Sequence, residues 1–310
     1  MNSRFMSSSA RIALAALVVL LLPTAAWGQD AQSAAEAEWN SALAAARKVH
    51  VTGPGDVKLA DQATFKLPQG FIFIPAAEGK RLLEAMGNRV SNELLGVVFP
   101  ASDARWFVVM QFHKSGYIKD DDAREWKTDE LLAGLKRGTE QSNANRRARN
   151  LPEVEVVGWV ETPAYDAKAH RLVWSLSSKE KNEPAGTERG INYNTYALGR
   201  EGYISMNLVT GMNTIEAEKP IARTLLAALE YNDGKRYTDF NSTTDHVAEF
   251  GLAALIGGVA AKKLGLFAIV AAFLVKFAKV IGVAAIAFGA AATKLFRRKK
   301  ESGSAPIAPA

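Results

Sequence analysis

Between residues 33 and 231 the apolar positions switch repeatedly between the three-to-four spacing of a helix and the alternate spacing of a half-buried strand. An Ala-rich stretch over 33–48, with Trp39 on its apolar face, predicts a first helix, and Gly53-Pro54-Gly55 breaks the pattern after it. VKLADQATFKLPQGFIFIP reads as short strands, with Pro68-Gln69-Gly70 as a turn and Pro75 stopping the last strand before the helical segment AAEGKRLLEAMG. LLGVVFP and RWFVVMQF predict two further strands across the turn-like ASDA. From Asp120 to Asn150 the pattern predicts one helix or two. Asp122 and Glu125 have capping-box spacing there, and Leu131, Leu132, Leu135 and Thr139 share one face.

Four β segments follow, VEVVGWVE, HRLVWSLS, INYNTYALG and GYISMNLVT, and they predict an antiparallel meander. A turn around Pro163, Tyr165 and Asp166 joins the first two, and Gly199-Arg200-Glu201-Gly202 the last two. TIEAEKPIARTLLAALEY predicts a closing helix, and NDGKRYTDFNSTTD reads as the junction between domain and anchor. Runs of strands interrupted by few helices give an α+β fold, an antiparallel sheet with packed helices, and the chain has no repeat at solenoid period.

The two ends do not join this pattern. Arg4 and Arg11 precede the apolar run IALAALVVLLL, and a small-residue stretch follows Pro23, which is the build of a secretory signal peptide over residues 1–28. Ala26 and Gly28 occupy the small-residue positions that signal peptidase needs for a cut after Gly28; a cut after Ala26 and an uncleaved anchor are the alternatives. From Gly251 to Thr293 there is no acidic residue, and the segment closes on the basic cluster Arg297, Arg298, Lys299 and Lys300. Residues 246–296 therefore predict a C-terminal transmembrane helix, with 297–310 as a cytoplasmic tail. The expected location is the cytoplasmic membrane, crossed once, with domain 29–245 on the periplasmic side and the bilayer itself as a partner.

Lys262, Lys263, Lys276, Lys279 and Lys294 interrupt that segment. Division into two spans fails on length, because the stretches of 12 and 14 residues on either side of Lys276 and Lys279 reach only about 18 and 21 Å against a hydrocarbon core of about 30 Å. At about 100° per residue Lys262, Lys276, Lys279 and Lys294 form one stripe. Two explanations fit it: snorkelling from a tilted helix, or a polar face that meets other helices and makes a homo-oligomer through the anchor.

The net charge of +6 divides unevenly: residues 1–28 carry 2 basic groups, 29–250 carry 27 basic and 31 acidic, and 251–310 carry 9 basic and 1 acidic. The folded part is mildly acidic, which excludes the basic face that nucleic-acid binding needs. The chain has no cysteine, so thiol catalysis, thiolate metal sites and disulfide staples are excluded, and the core must be large enough to hold alone.

Local catalytic patterns are missing: there is no HExxH, GxSxG, SxxK or Walker-type loop, and His50, His113, His170 and His246 stand apart in sequence. Asp120-Asp121-Asp122 lacks the ligand spacing of an EF-hand loop and reads as helix capping. Glu161 and Asp166 flank TPAY as a candidate carboxylate pair, against solvated turn acids. Trp106, Trp126, Trp159 and Trp174 with Tyr193, Tyr196 and Tyr203 could line a glycan groove, but their strand patterning favours sheet core. No catalytic residue, metal site or cofactor is expected.

The segments GDVKLADQATFKLPQGFIFIPA, LLEAMGN, LGVVFP, WFVVMQFHKSGYIKDDDAREW, VVGWVETPAYD, HRLVWSL, NYNTYALGREGYISMNLVT, DGKRYTDFN and TDHVAEFGLAALIGGVAAKKLGL, taken as a set, resemble domain-of-unknown-function family 2167, membrane-anchored bacterial proteins. The resemblance spans about residues 50–300 and implies an exported domain with a C-terminal anchor; the family brings no assigned activity and no functional residue. The expected function is a non-enzymatic binding or assembly module of the cell envelope with a protein partner there. The rivals are an envelope hydrolase without a recognised motif and a lipid-binding or helix-assembling membrane protein. The signal-peptide pattern predicts a mature protein starting at Gln29, and intact-mass measurement of membrane-extracted protein checks it: a mass that includes residues 1–28 would rule the cut out.

Overall fold

The computed structural model describes residues 29–257 other than Arg89, Glu125, 149–151 and Ala185. The expected cleavage residues Ala26 and Gly28, the lysines Lys262, Lys263, Lys276, Lys279 and Lys294, and the basic cluster from Arg297 to Lys300 lie outside the described residues. Among the described residues no helix is long and apolar enough to cross a membrane.

Helix α1 (Gln29–Val49) places Trp39, Ala42, Leu43 and Ala46 three to four residues apart and buries all four. After it come β1 (Val51–Thr52), β2 (Gly55–Leu59), β3 (Ala63–Leu67), β4 (Phe71–Pro75), α2 (Ala76–Ala85), β5 (Leu94–Pro100) and β6 (Phe107–His113). Pro75 ends β4 and stands as N-cap of α2, where its missing N–H costs nothing. A 3-10 turn at Asp121–Arg124 precedes α3 (Thr128–Ala148), and the meander follows as β7 (Val154–Asp166), β8 (Arg171–Glu180), β9 (Gly190–Leu198) and β10 (Tyr203–Gly211). Then come α4 (Ile215–Ala227), β11 (Leu229–Tyr231) and the short α5 (Ala254–Gly257).

The fold is α+β with all its strand pairs antiparallel. Eight strands form one sheet in the order β1-β4-β5-β6-β10-β9-β8-β7, and three form a second in the order β11-β3-β2. Pro68-Gln69-Gly70 forms the expected turn and is the corner between the two sheets, because β3 pairs with β2 and β11 while β4 pairs with β1 and β5. Two local expectations change. The end of the expected closing helix, Leu229–Tyr231, is strand β11, since its backbone completes the edge of β3. Pro163, Tyr165 and Asp166 lie inside β7, not in a turn. That strand is the edge of the large sheet, where proline and the register shifts between Val156 and Ala164 are tolerated.

Alternation along the strands builds two faces. Val108 and Met110 of β6, Ile204, Met206 and Leu208 of β10, and Ile191, Tyr193 and Ala197 of β9 point to one side, where they meet the small sheet and Ile215, Ala222, Leu225 and Leu226 of α4. On the other side there are two separate apolar clusters. Ile72, Ile74, Val97, Phe99, Phe107, Val109 and Val209 pack under α1 and α2, whereas Leu172, Trp174, Leu176 and Leu198 pack under Leu135 of α3 and the C-terminal segment.

That C-terminal segment differs most from expectation. The chain was expected to enter an anchor at residue 246, yet residues 246–257 continue across the domain. Tyr117 and Val247 form a parallel bridge, in which Tyr117 N–H donates to the His246 carbonyl and Ala248 N–H to the Tyr117 carbonyl, both at 2.8 Å. Gly116, at φ +86°, permits this approach, because a Cβ there would stand 2.7 Å from the His246 carbonyl oxygen. Asp122 does not cap its own helix: its carboxylate accepts from the backbone N–H groups of Leu252 (3.1 Å) and Ala253 (2.9 Å) and so caps the last turn. Leu252, Leu255 and Ile256 then bury in the cluster under α3. The apolar pattern from Gly251 onward matches a membrane segment in composition, so composition does not reveal that Leu252, Leu255 and Ile256 pack on the domain.

A chain cut after residue 245 should therefore lose the cooperative unfolding that a chain cut after Gly257 keeps, and Leu252→Ala should cost about 3 kcal/mol. Denaturant titration checks both, and an unchanged midpoint in the shorter chain would count against this boundary.

Candidate functional site

The large sheet carries polar side chains where two packed layers would favour apolar ones. Facing the helices, successive rows across β6, β10, β9 and β8 read Phe107, Val209, Asn192, Leu176; then Val109, Asn207, Asn194, Trp174; then Gln111, Ser205, Tyr196, Leu172. Asn192, Asn194, Asn207, Ser205, Gln111 and finally His113 thus form a diagonal band between the two apolar clusters. Its floor is buried: Asn192 is 1% exposed, Ser205 6% and Asn207 7%. Asn207 Nδ2 donates to Asn192 Oδ1 (3.0 Å), Asn194 Nδ2 to the Asn192 carbonyl (3.3 Å), and Gln111 Nε2 to Ser91 Oγ (2.9 Å). Asn207 Oδ1 has no hydrogen-bond partner among the described residues, a placement that ordinarily costs about 1–3 kcal/mol.

His113 closes the band at the end of the sheet. Its Nε2 lies 3.2 Å from Ser205 Oγ, and its ring stacks on Tyr203 with centroids 4.6 Å apart. Burial holds the imidazole below its ordinary value, with the Glu93 carboxylate opposing. Tyr203 meets Tyr196 edge to face at 5.5 Å.

A second group of titratable side chains lies at the same end, over the start of β8. Tyr165 OH donates to Asp120 Oδ2 (2.7 Å), and His170 Nδ1 is 3.2 Å from the same hydroxyl oxygen. With the phenol proton directed at the carboxylate, the Tyr165 oxygen is left to accept from the Nδ1–H of His170. Burial first, then the Asp120 carboxylate, pushes the Tyr165 phenol upward, so it bridges without ionising. His170 stacks on Tyr237 (4.2 Å), Tyr237 on Tyr117 (4.4 Å) and Tyr117 on Phe240 (3.9 Å), while Tyr237 OH donates to the Ile118 carbonyl (2.8 Å). The β7–β8 hairpin brings His170 to Tyr165, and the Tyr165 hydroxyl bridges it to Asp120.

The expected carboxylate pair is not assembled. Glu161 faces α4, where it pairs with Lys219 (3.2 Å) and Arg223 (2.5 Å), and Asp166, at the end of β7, accepts from the N–H groups of Lys168 (2.9 Å) and Ala169 (3.1 Å) in the turn that follows. Trp106, Trp174 and Tyr193 are core residues, whereas Trp126, Trp159, Tyr196 and Tyr203 are partly buried against the cluster under α3. Among the described residues no group of three His, Asp or Glu side chains is placed to hold a metal. The amide band was missed in the sequence reading; the signal was present as Asn192, Asn194, Ser205 and Asn207 at alternate positions of two adjacent strands, opposite Ile, Tyr, Met and Leu.

A family model described as protein of unknown function (DUF2167) matches residues 51–288. The chain belongs to this family. The DUF2167 match begins at β1 and leaves α1 outside. It contains both sheets, the amide band and the Asp120, Tyr165 and His170 group, and it runs beyond Gly257 without a break. No curated protein matches the chain. Among solved structures, the solution structure of cyanobacterial PsbP (CyanoP) from Synechocystis sp. PCC 6803 is similar at 9% identity and a TM-score of 0.34, covering 59% of this chain and 92% of that one. A likeness of that size says nothing about what this chain does.

Because His113 is held below its unfolded value of 6.5, its contribution to stability is present above that value and is lost as pH falls through the folded value. His113→Gln should therefore flatten the acid side of the stability profile below pH 6.5, which melting midpoints of both proteins between neutral and mildly acidic pH would check. Parallel profiles would assign the acid sensitivity elsewhere.

Proposed function

We propose that this family member is a non-enzymatic binding or assembly module of the bacterial cell envelope, with the domain on the periplasmic side, tethered to the cytoplasmic membrane by the apolar segment after Gly257 and with its C-terminal tail in the cytoplasm. One observation carries the reading of the domain: three of the carboxylates considered for chemistry each hold two elements together. Asp122 caps the C-terminal turn, Glu161 ties β7 to α4, and Asp120 accepts from Tyr165. Asp245 likewise forms a two-pronged pair with Arg200 at 2.6 and 2.8 Å, joining the segment before the last turn to the β9–β10 connection.

The tether is supported by the packing of 246–257 and by the span of the family match. A membrane segment that starts directly after a clamped turn holds its domain at a set height and orientation. The signal-peptide pattern and the terminal basic cluster support an outward domain and an inward tail. A hydrolase is the second reading, favoured by the arrangement of Asp120, Tyr165 and His170 as a carboxylate–phenol–imidazole chain.

Membrane fractionation with in-cell crosslinking tests the module. Full-length protein should stay with the membrane through a carbonate wash, a chain ending at Gly257 should leave it, and both should crosslink to the same envelope protein. Release of the full chain by carbonate would remove the tether, and turnover abolished by His170→Gln would replace the module with the hydrolase.

A further inference from the structure

We propose that the face made by α5, the Asp121–Arg124 turn and the first turns of α3 rests on the periplasmic leaflet of the cytoplasmic membrane, with Trp126, Leu131, Leu132 and Phe250 at the boundary between headgroups and acyl chains. The proposal rests on the reading of the chain as tethered by the segment after Gly257, and it names the surface of the domain that meets the lipid.

Reach limits where the bilayer can lie. The long apolar run opens at Leu264, seven residues after the end of α5 at Gly257, and seven residues span at most about 25 Å even when fully extended. A domain of this size is about 45 Å wide. Under the tether, the bilayer is therefore held at the α5 end of the domain, and what surrounds α5 is the surface within its reach.

That surface is apolar and half open. Along α3 the stripe Leu131, Leu135, Thr139 and Asn143 faces the domain; its last three members are buried, but Leu131 is only partly so. Leu132, Ala133 and Gly134 are partly exposed as well, so one full turn of the helix carries no polar side chain in any direction and is open to solvent on part of its circumference. The following turns return to the ordinary pattern, with Lys136, Arg137 and Glu140 exposed. α5 packs against α3, and Ala253 and Ala254 at its start are partly exposed, as are the Trp126 and Phe250 rings of the same apolar cluster.

Charge decides which property of the bilayer is met. From Asp120 to Glu130 the chain carries six acidic and two basic residues, and Lys127 is paired with Glu130 at 2.9 Å. Such a surface is not drawn to anionic headgroups. The attraction has to come from apolar side chains, and Trp, Phe and Leu are the residues that settle at the boundary between headgroups and acyl chains. The acidic residues beside them keep the contact shallow.

The chain has no cysteine, so a single introduced one carries a fluorescent label without competition. Full-length Leu132→Cys and Ala133→Cys proteins, labelled and reconstituted in phosphatidylcholine vesicles, test the proposal against Lys58→Cys, whose label stands on the outer side of the small sheet because Val57 and Leu59 point into the core. Lipid bearing a nitroxide near its headgroup should quench both α3 labels about threefold more than the Lys58 label, at low and high salt alike. Ala133→Cys keeps the comparison decisive if Leu132→Cys does not fold. Equal quenching at the three sites, stronger quenching at Lys58, or loss of the difference at high salt would each overturn the proposal. Carbonate extraction of the same vesicles judges the tether separately: protein that is retained but equally quenched keeps the tether and removes this face, whereas protein that is stripped removes the tether and the proposal with it.

Discussion

β10 joins the two halves of the large sheet. Residues from Tyr203 to Val209 pair with His113 to Phe107 on one side, and with Leu198 to Asn192 on the other. Side chains alternate along strands, so this one register decides which residues of three strands face α4 and the small sheet and which face the other helices. A slip of one residue would carry Ile204, Met206 and Leu208 to the helix-covered face and place Asn207 against Leu225 and Phe65 in the main core. The apolar side makes that slip costly, and the polar band on the reverse side is held in place as a result.

The same constraint explains what could be read in advance. Alternation within each meander strand is a local property, and it favours the sheet core for Trp174 and Tyr193, where both lie. Neighbour identity across strands is not local. The row of Val109, Asn207, Asn194 and Trp174 draws on residues up to 98 positions apart, and no single strand shows that its polar residues align into a band. His170 and Asp120 met for a similar reason: a hairpin and a bridge had to form before either had a neighbour.

Composition misled where one pattern has two uses. Leu252, Leu255 and Ile256 belong to a sequence that is apolar enough for lipid, and lipid or protein core would satisfy them equally. What assigns them to the domain is polar: Asp122, 130 residues earlier in the chain, accepts the N–H groups that the last turn leaves open. Its spacing to Glu125 suggested a cap for the wrong helix, because a capping carboxylate serves whichever N-terminus reaches it. The end of the expected closing helix at Leu229–Tyr231 failed likewise, since an open edge on β3 outweighed the helical run of AALEY.

The irregular path of β7 matters for how copies of such a domain coexist. Its register shifts and Pro163 break the even ladder of N–H and C=O groups along the outer edge of the sheet. Under the proposed tether, copies confined to a plane would meet with a common orientation and far more often than the same number free in volume, so an even edge of 13 residues would zip against its neighbours into a continuous ribbon. The kinked edge removes that route. Crowding on a surface then raises the chance of specific contacts without making polymer the default outcome.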